Sequence, residues 1–245
     1  MKARRLAFVA LASSACLGSL AAVAAETRAV VELFTSQGCS SCPAADKLLG
    51  ELAQDPTIVA MSVPIDYWDY LGWKDTLANP AHTARQRSYA KIRGDRQVYT
   101  PQVVVNGSLH VLGSDKGAIE KAIAASRRGG STLSVPVTIA PAGDRVTITV
   151  PEGKPERGAE VWLCSITKTV PVSIGRGENR GKTITYYNVA RRWQKLGDWS
   201  GKPASWTVPL SDVRAAEADA VAVLVQSGSA EQPSATLGAA MASLP

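Results

Sequence analysis

The sequence predicts an α/β domain followed by an all-β domain, and two observations support that division. Before the glycine pair at 129–130, apolar segments with strand and helix patterns alternate along the chain. After that pair, short β-branched segments alternate with turn residues, and no helical pattern precedes residue 211. We therefore place one domain at residues 26–130 and a second at residues 131–245. Each half has the size of a small domain.

Residues 1–25 have the pattern of a secretory signal. Three basic residues precede an apolar segment at 6–20, and the small residues at 23–25 offer a cleavage site. After cleavage, 24 of the 27 basic residues remain against 21 acidic residues, a formal charge of +3. That charge does not indicate nucleic-acid binding, and no later segment reaches membrane-spanning length. We expect a periplasmic or secreted protein with no stable membrane span in the mature chain.

The first domain has the order strand, helix, strand, hairpin, helix, with extra helical material inserted before the hairpin. The predicted elements are strands at 30–34 and 57–64 with a helix at 44–53 between them, a polar helix near 83–92, strands at 103–105 and 109–112, and a closing helix at 115–128. The asparagine–glycine turn at 106–107 favours the hairpin. This order is that of the thioredoxin fold, so we expect a thioredoxin-like domain with a helical insertion.

The second domain shows the period-2 alternation that is typical of an antiparallel β-sandwich. The segments with this pattern are 135–139, 146–150, 161–163, 183–189, 205–210 and 220–225, with a weaker one at 235–240. Cys164 lies among Val161, Trp162, Leu163 and Ile166, which indicates a buried strand, and it is expected to be buried and inert.

Cys39 and Cys42, separated by two serines, are the strongest candidates for chemistry. They lie between the strand at 30–34 and the helix at 44–53. At such a junction, unpaired backbone N–H groups and the positive end of the helix dipole favour a thiolate, which is the attacking species in disulfide exchange. In the thioredoxin geometry Cys39 has an exposed sulfur and attacks, while the more buried Cys42 resolves the mixed disulfide. The alternative is a structural disulfide at the start of the helix.

Two further features are expected to support the cysteines. Thr100 and Pro101 precede the strand at 103–105, and we expect a cis bond between them and a position against the cysteine pair, the alternative being an ordinary trans proline. Glu32 lies in the first strand among apolar residues, where an unpaired carboxylate is unfavourable. Thioredoxins carry a buried acid on the equivalent strand that helps to deprotonate the inner cysteine, and Glu32 lies one residue from that spacing. Its alternative role is pairing with an arginine or reaching solvent.

Two other segments are candidates for contacts around the cysteines. Residues 66–75 form the densest aromatic cluster, which indicates either a peptide-binding wall or packing of the insertion onto the core. The polar turn at 175–181 is expected to pack against the first domain through Glu178, Asn179 or Arg180 and to narrow access to Cys39. An exposed hairpin loop is the alternative for that turn.

The family resemblance rests on several blocks of sequence. Residues 32–43 (ELFTSQGCSSCP) resemble the opening signature of a family of secreted thioredoxin-like proteins of unknown function found in bacteria and plants. Residues 66–75 (DYWDYLGWKD), 175–181 and 188–191 are similar to later blocks of that family. The resemblance covers essentially the whole chain after residue 25. It implies a periplasmic or secreted thioredoxin fold with an appended β domain, and it brings no known substrate. One departure is Ala44, where a second proline is expected.

The predicted function is thiol–disulfide exchange at Cys39 and Cys42, on exported proteins or with a redox partner protein, without a cofactor. Two alternatives belong to other classes. In the first, the disulfide is structural and the protein is a binding module. In the second, the cysteines carry a metal ion such as copper, although the two histidines, His82 and His110, lie far apart and form no ligand motif. We therefore expect no metal site.

Overall fold

The computed structural model describes residues 26–214 and 217–245, so the predicted signal at 1–25 lies outside the described residues. The elements in chain order are β1 (Ala29–Thr35), α1 (Cys42–Leu52), β2 (Ile58–Pro64), α2 (Pro80–Arg93), β3 (Gln102–Val105), β4 (Leu109–Leu112), α3 (Lys116–Ser126), β5 (Thr138–Ala142), β6 (Arg145–Val150), β7 (Ala159–Ser173), β8 (Thr183–Trp199), β9 (Ala204–Pro209), α4 (Leu210–Arg214), β10 (Ala220–Ser229) and β11 (Gln232–Ser243). Single 3₁₀ turns lie at Asp69–Leu71 and Arg127–Gly129. The protein is a mixed α/β structure.

The first four strands lie side by side in the order β2-β1-β3-β4. α1 connects β1 to β2, which run parallel, whereas β3 is antiparallel to β1. Alternate apolar residues of β1 and β3, such as Val31, Leu33 and Val103, pack against the apolar faces of α1 and α3. The predicted order of strands and helices in this half is therefore observed. α1 begins at Cys42, two residues before its predicted start.

The same sheet continues into the second half of the chain. Its full order is β11-β10-β7-β8-β2-β1-β3-β4, and the junction is a parallel pairing of Ser62 in β2 with Val189 in β8. The sequence had predicted a separate sandwich at 131–245. It did not reveal this junction because pairing between distant strands leaves no local pattern. The sheet crosses the predicted domain boundary.

The second sheet is three-stranded, in the order β5-β6-β9. Its apolar side chains, including Val146 and Ile148, pack against Val161 in β7 and Val221 in β10 to form one core. The second half therefore has two layers of antiparallel strands, β5-β6-β9 and β11-β10-β7-β8, as the alternation predicted. One of the layers is part of the shared eight-stranded sheet.

β7 and β8 form a long hairpin of 15 and 17 residues. The pairing is interrupted by shifts between Val161 and Trp162 and between Ser165 and Ile166, and such bulges bend a strand pair. One end of the hairpin belongs to the core beside the second sheet, its middle pairs with β2, and its tip is the turn at 175–181. The long hairpin thus carries a segment of the second half toward the first.

α2 covers the face of the large sheet opposite to α1 and α3, and Tyr89 of this helix joins Phe34 and Val63 in the core there. Asn79 caps its start by accepting a hydrogen bond from the backbone of Ala81, and Gly94 ends it in the left-handed conformation. Among the residues that the structure describes, no helix is both long and apolar enough to cross a membrane.

Candidate functional site at the Cys39–Cys42 disulfide

Cys39 and Cys42 form a disulfide where β1 gives way to α1, with their Cα atoms 5.4 Å apart. Cys42 is the first residue of α1, and its backbone N–H donates to the carbonyl of Cys39 at 3.2 Å. Pro43 lies in the first turn of the helix, where its missing N–H leaves no intrahelical hydrogen bond unmade. The pair therefore lies at the strand–helix junction that the sequence predicted.

Both cysteines are buried. Cys39 is 2% exposed and Cys42 is 0% exposed, whereas the two serines between them are exposed. The exposed sulfur that we expected for Cys39 is thus a wrong prediction. Its physical reason is that two distant segments of the chain, residues 66–75 and the turn at 175–181, cover the loop that precedes α1.

The turn at 175–181 makes direct hydrogen bonds to the cysteine loop. Asn179 is fully buried, and its Nδ2 donates to the carbonyls of Gln37 at 2.9 Å and Cys39 at 2.8 Å. Glu178 accepts at Oε2 from the backbone N–H of Ser40 at 3.1 Å. The predicted contact of this turn with the first half is confirmed, and two of the three named residues make it.

The aromatic segment at 66–75 packs on the other side of the same loop. Trp73 donates from Nε1 to Gln37 Oε1 at 2.8 Å, and Asp75 accepts from the backbone N–H of Gln37, also at 2.8 Å. Burial raises the pKa of the Asp75 carboxyl, while backbone hydrogen bonds from Gln37 and Leu77 oppose the rise. The Trp73 ring packs against Gly175. A Cβ added at Gly175 would lie 3.1 Å from the ring. Both covering segments therefore meet at Gln37, which is itself fully buried.

The Thr100–Pro101 peptide bond is cis, which confirms the prediction. Trp68 connects this loop to the cysteines, because its Nε1 donates to Thr100 Oγ1 at 2.8 Å while its Cβ packs against Gly38. Pro101 and Ala45 of α1 both lie within 3.3 Å of the point that a Cβ on Gly113 would occupy. Gly113 therefore lies between the proline loop and the first turn of α1.

Glu32 lies away from the cysteines, on the α2 side of β1. Its two carboxylate oxygens accept from Arg85 at 2.6 and 3.0 Å, and Tyr89 donates to it at 2.6 Å. The Arg85 guanidinium lies over the Trp193 ring, 4.5 Å from its centroid. The alternative proposed from the sequence, pairing with an arginine, is the role that the structure shows, because β-strand alternation points residue 32 away from α1.

Asp46 is the buried acid on the cysteine side, and the sequence reasoning missed it. It lies in α1 four residues after Cys42, hence on the same helix face, and it is 1% exposed. Thr35 donates to Oδ1 at 2.8 Å, whereas Oδ2 has no partner among the described residues. Burial raises the pKa of this carboxyl to about 8, partly opposed by the Thr35 hydrogen bond. The sequence did contain a signal for this burial, because Asp46 lies on the same apolar face of α1 as Ala45 and Leu49.

A buried tyrosine lies close to this carboxyl. Burial raises the pKa of Tyr186, and the carboxyls of Asp46 and Asp75 add to the rise. The Tyr186 hydroxyl, like Asp46 Oδ2, is buried with no partner among residues 26–214 and 217–245. Two unpartnered polar groups in one region behind the cysteines distinguish it from an ordinary apolar core.

Cys164 lies in β7 and is fully buried, as predicted, and burial raises the pKa of its thiol. In the described part of the chain, no group of three or more His, Cys, Asp or Glu side chains is arranged to hold a metal ion. His82 is buried beside the carbonyl of Pro64, and His110 pairs with Asp95, so neither lies in a ligand set with the cysteines.

Comparison with other proteins places the chain in a family. A crystal structure of a protein from Agrobacterium tumefaciens, determined by the Northeast Structural Genomics Consortium, is similar to it with 38% sequence identity and a TM-score of 0.80. The match covers 89% of this chain and 94% of the other. No curated protein matches the chain. Residues 30–226 match a family described as proteins of unknown function (DUF1223). The chain therefore belongs to the DUF1223 family.

Proposed function

We propose that this protein is a periplasmic or secreted thiol–disulfide exchange protein, with a thioredoxin-like unit at residues 26–130. The observation that carries the proposal is the Cys39–Cys42 disulfide at the β1–α1 junction, with the Thr100–Pro101 loop joined through Trp68 to Gly38, the residue before Cys39. The strand order β2-β1-β3-β4, with α1 between the two parallel strands, supports the same assignment. The proposed partners are exported proteins or a redox partner protein.

Starting from the disulfide form, the reaction proceeds in two steps. A thiolate of the target attacks the Cys39 sulfur, forming a target–Cys39 bond while the Cys39–Cys42 bond breaks and Cys42 leaves as a thiolate. A second thiolate of the target then attacks the target sulfur that is bonded to Cys39, which forms the target disulfide and releases Cys39 as a thiolate. The target loses two electrons and gains a disulfide, and the cysteine pair gains two electrons and, after protonation, two thiols. The same steps in reverse reduce a target disulfide.

Asp46 is placed to exchange the proton at Cys42. A carboxyl whose pKa is raised to about 8 holds a proton at neutral pH and can pass it to the departing Cys42 thiolate one helical turn away. In the reverse direction the ionised carboxylate accepts that proton when Cys42 attacks the mixed disulfide. This assigns to Asp46 the role that the sequence suggested for Glu32.

A second candidate function is favoured by the burial of both sulfurs. A disulfide that is only 2% exposed at Cys39 suits a structural link that holds the start of α1 in a protein whose surface binds a partner. Tyr70, 78% exposed and stacked on Trp68 with ring centroids 6.3 Å apart, is the aromatic surface that such a module would use.

Trapping of mixed disulfides separates the two candidates. In the exported full-length protein, Cys42→Ser should accumulate mixed disulfides with exported proteins, because the resolving thiol is missing. Cys39→Ser should accumulate few, and the double variant is the control for background bands. Trapping by neither variant would support the structural disulfide, and equal trapping by both would contradict the assigned roles of Cys39 and Cys42.

A further inference from the structure

The turn at 175–181 holds a carboxylate next to the attacking cysteine. Glu178 Oε2 accepts from the Ser40 N–H at 3.1 Å, and Ser40 directly follows Cys39. Asn179 fixes the turn by donating to the carbonyls of Gln37 and Cys39, while Lys182 donates to Asn179 Oδ1 at 2.9 Å. The position of Glu178 is thus set by a buried amide rather than by chance contact of an exposed side chain.

Glu178 accepts from the Ser40 N–H, one of the backbone N–H groups before α1 that would stabilise a thiolate at Cys39. Backbone N–H groups ahead of a helix favour negative charge, whether it is carried by a carboxylate or by a sulfur. When the disulfide takes up two electrons and two protons, Cys39 becomes a thiol and then loses one proton to become the attacking thiolate. Glu178 already holds the Ser40 N–H in that state, and its charge repels the new one.

We propose that Glu178 is a reactivity-determining residue of the exchange site, which restrains formation of the Cys39 thiolate and thereby favours the disulfide. Asn179 is the positioning residue that holds Glu178 there. This inference rests on the proposed exchange at Cys39, and it makes the tip of the β7–β8 hairpin part of the site.

Other charged groups surround the loop, and they remain the same in the variants. Asp46 lies behind Cys42 in α1, Asp75 accepts from the backbone of Gln37, and Lys182 binds the amide of Asn179. Glu178 is exposed, so replacing it with the isosteric Gln removes a charge without disturbing a core. A difference between Glu178 and Gln therefore reports that one carboxylate.

The test measures the rate at which iodoacetamide alkylates Cys39 as a function of pH. The mature chain carries Cys42→Ser. Two thiols then remain, and Cys39 is the reactive one because Cys164 is buried in β7. Glu178→Gln should lower the pH midpoint of alkylation by about half a unit, as expected for one charge at a helix terminus. The shift should shrink in 1 M salt, where the Debye length is about 3 Å. Glu156→Gln, an exposed glutamate in the β6–β7 connection, is the matched control and should leave the midpoint unchanged.

A second variant tests the positioning role. Asn179→Ala should release the turn, reproduce the midpoint shift of Glu178→Gln and raise the alkylation rate several-fold at every pH, because the cover over Cys39 loosens. Adding Glu178→Gln to Asn179→Ala should then shift the midpoint no further. If Asn179→Ala does not fold, Asn179→Ser takes its place. Its single hydroxyl hydrogen cannot serve both carbonyls, so the same midpoint shift is expected, and an unchanged midpoint would contradict the positioning role.

The inference is overturned if Glu178→Gln leaves the midpoint in place at low salt, or if Glu156→Gln shifts it equally. Alkylation requires no target protein, so this outcome is independent of the trapping experiment. A shifted midpoint without any trapped target would contradict the proposed function and leave the effect of Glu178 on Cys39 established.

Discussion

A carboxyl group is buried on each face of β1, and the two differ in whether a positive charge is paired with them. On the α2 face, Glu32 is 1% exposed in its side chain and receives two hydrogen bonds from Arg85 and one from Tyr89. On the α1 face, Asp46 is equally buried but receives one hydrogen bond, from Thr35, and one of its oxygens has no partner among the described residues. The first carboxylate is paired with a positive charge, and the second is not.

This difference separates a structural acid from a candidate proton donor. A buried carboxylate that accepts hydrogen bonds from a counter-charge and a tyrosine fixes the elements that contribute to it, here β1 and α2. A buried carboxyl without a counter-charge has a raised pKa and exchanges a proton near neutral pH. Burial alone therefore does not identify a functional acid, and the set of partners does.

The largest effect expected at a single pH is on the α2 face. Arg85→Ala leaves Glu32 buried without its counter-charge and should lower the free energy of unfolding by about 3–5 kcal/mol. Arg28→Ala is the matched control, since Arg28 also binds two carboxylates but is 35% exposed, and it should lower stability by no more than about 1 kcal/mol. The measurement is denaturant unfolding of both variants at neutral pH. Equal losses would show that the buried pair is not what fixes α2.

The next effect is the pH dependence contributed by Asp46. Its pKa is raised from 3.8 in the unfolded chain to about 8, so the folded state retains a proton that the unfolded state has lost. Its contribution to stability is present below pH 4 and is lost as the pH rises toward 8. Relative to Asp46→Asn, the wild-type protein should lose up to about 1.4 kcal/mol per pH unit within that window. Parallel stability curves for the two proteins between pH 4 and 8 would contradict the raised pKa.

The α2 face should show a smaller effect of opposite sign. His82 is buried beside the Pro64 carbonyl, and burial lowers its pKa from 6.5 to about 4. The folded state keeps this imidazole neutral, so its contribution is present above pH 6.5 and is lost as the pH falls toward 4. His82→Gln should remove that loss. The measurement is unfolding between pH 4 and 7 beside the wild-type protein, and an unchanged slope would show that His82 does not titrate in this range.

Local patterns in the sequence were sufficient for much of the first half. Apolar periodicity predicted β1, α1 and the β3–β4 hairpin, and the strand-initiating Pro101 predicted the cis bond. These features depend on residues that are close together in the chain. The cysteine pair was found for the same reason, since its spacing and its strand–helix context are local.

The features that the sequence did not reveal depend on contacts between distant residues. Cys39 is buried by Asn179, 140 positions later, and β8 is joined to β2 through the pairing of Val189 with Ser62. Asp46 was overlooked because an acidic residue in a helix is usually exposed, and only its position on the apolar face of α1 indicated otherwise. The two roles of Glu32 stayed open because strand alternation gives two sides without saying which one α1 covers.

The central claim, that Cys39 and Cys42 exchange disulfides, is tested most directly by the reduction potential of the pair. Residues 26–245 are equilibrated in glutathione and dithiothreitol buffers of defined potential, and the thiols are alkylated and counted by mass. An exchange site should titrate between about −270 and −120 mV, the range of known dithiol exchange proteins. A pair that remains oxidised below about −300 mV would behave as a structural disulfide and would contradict the account.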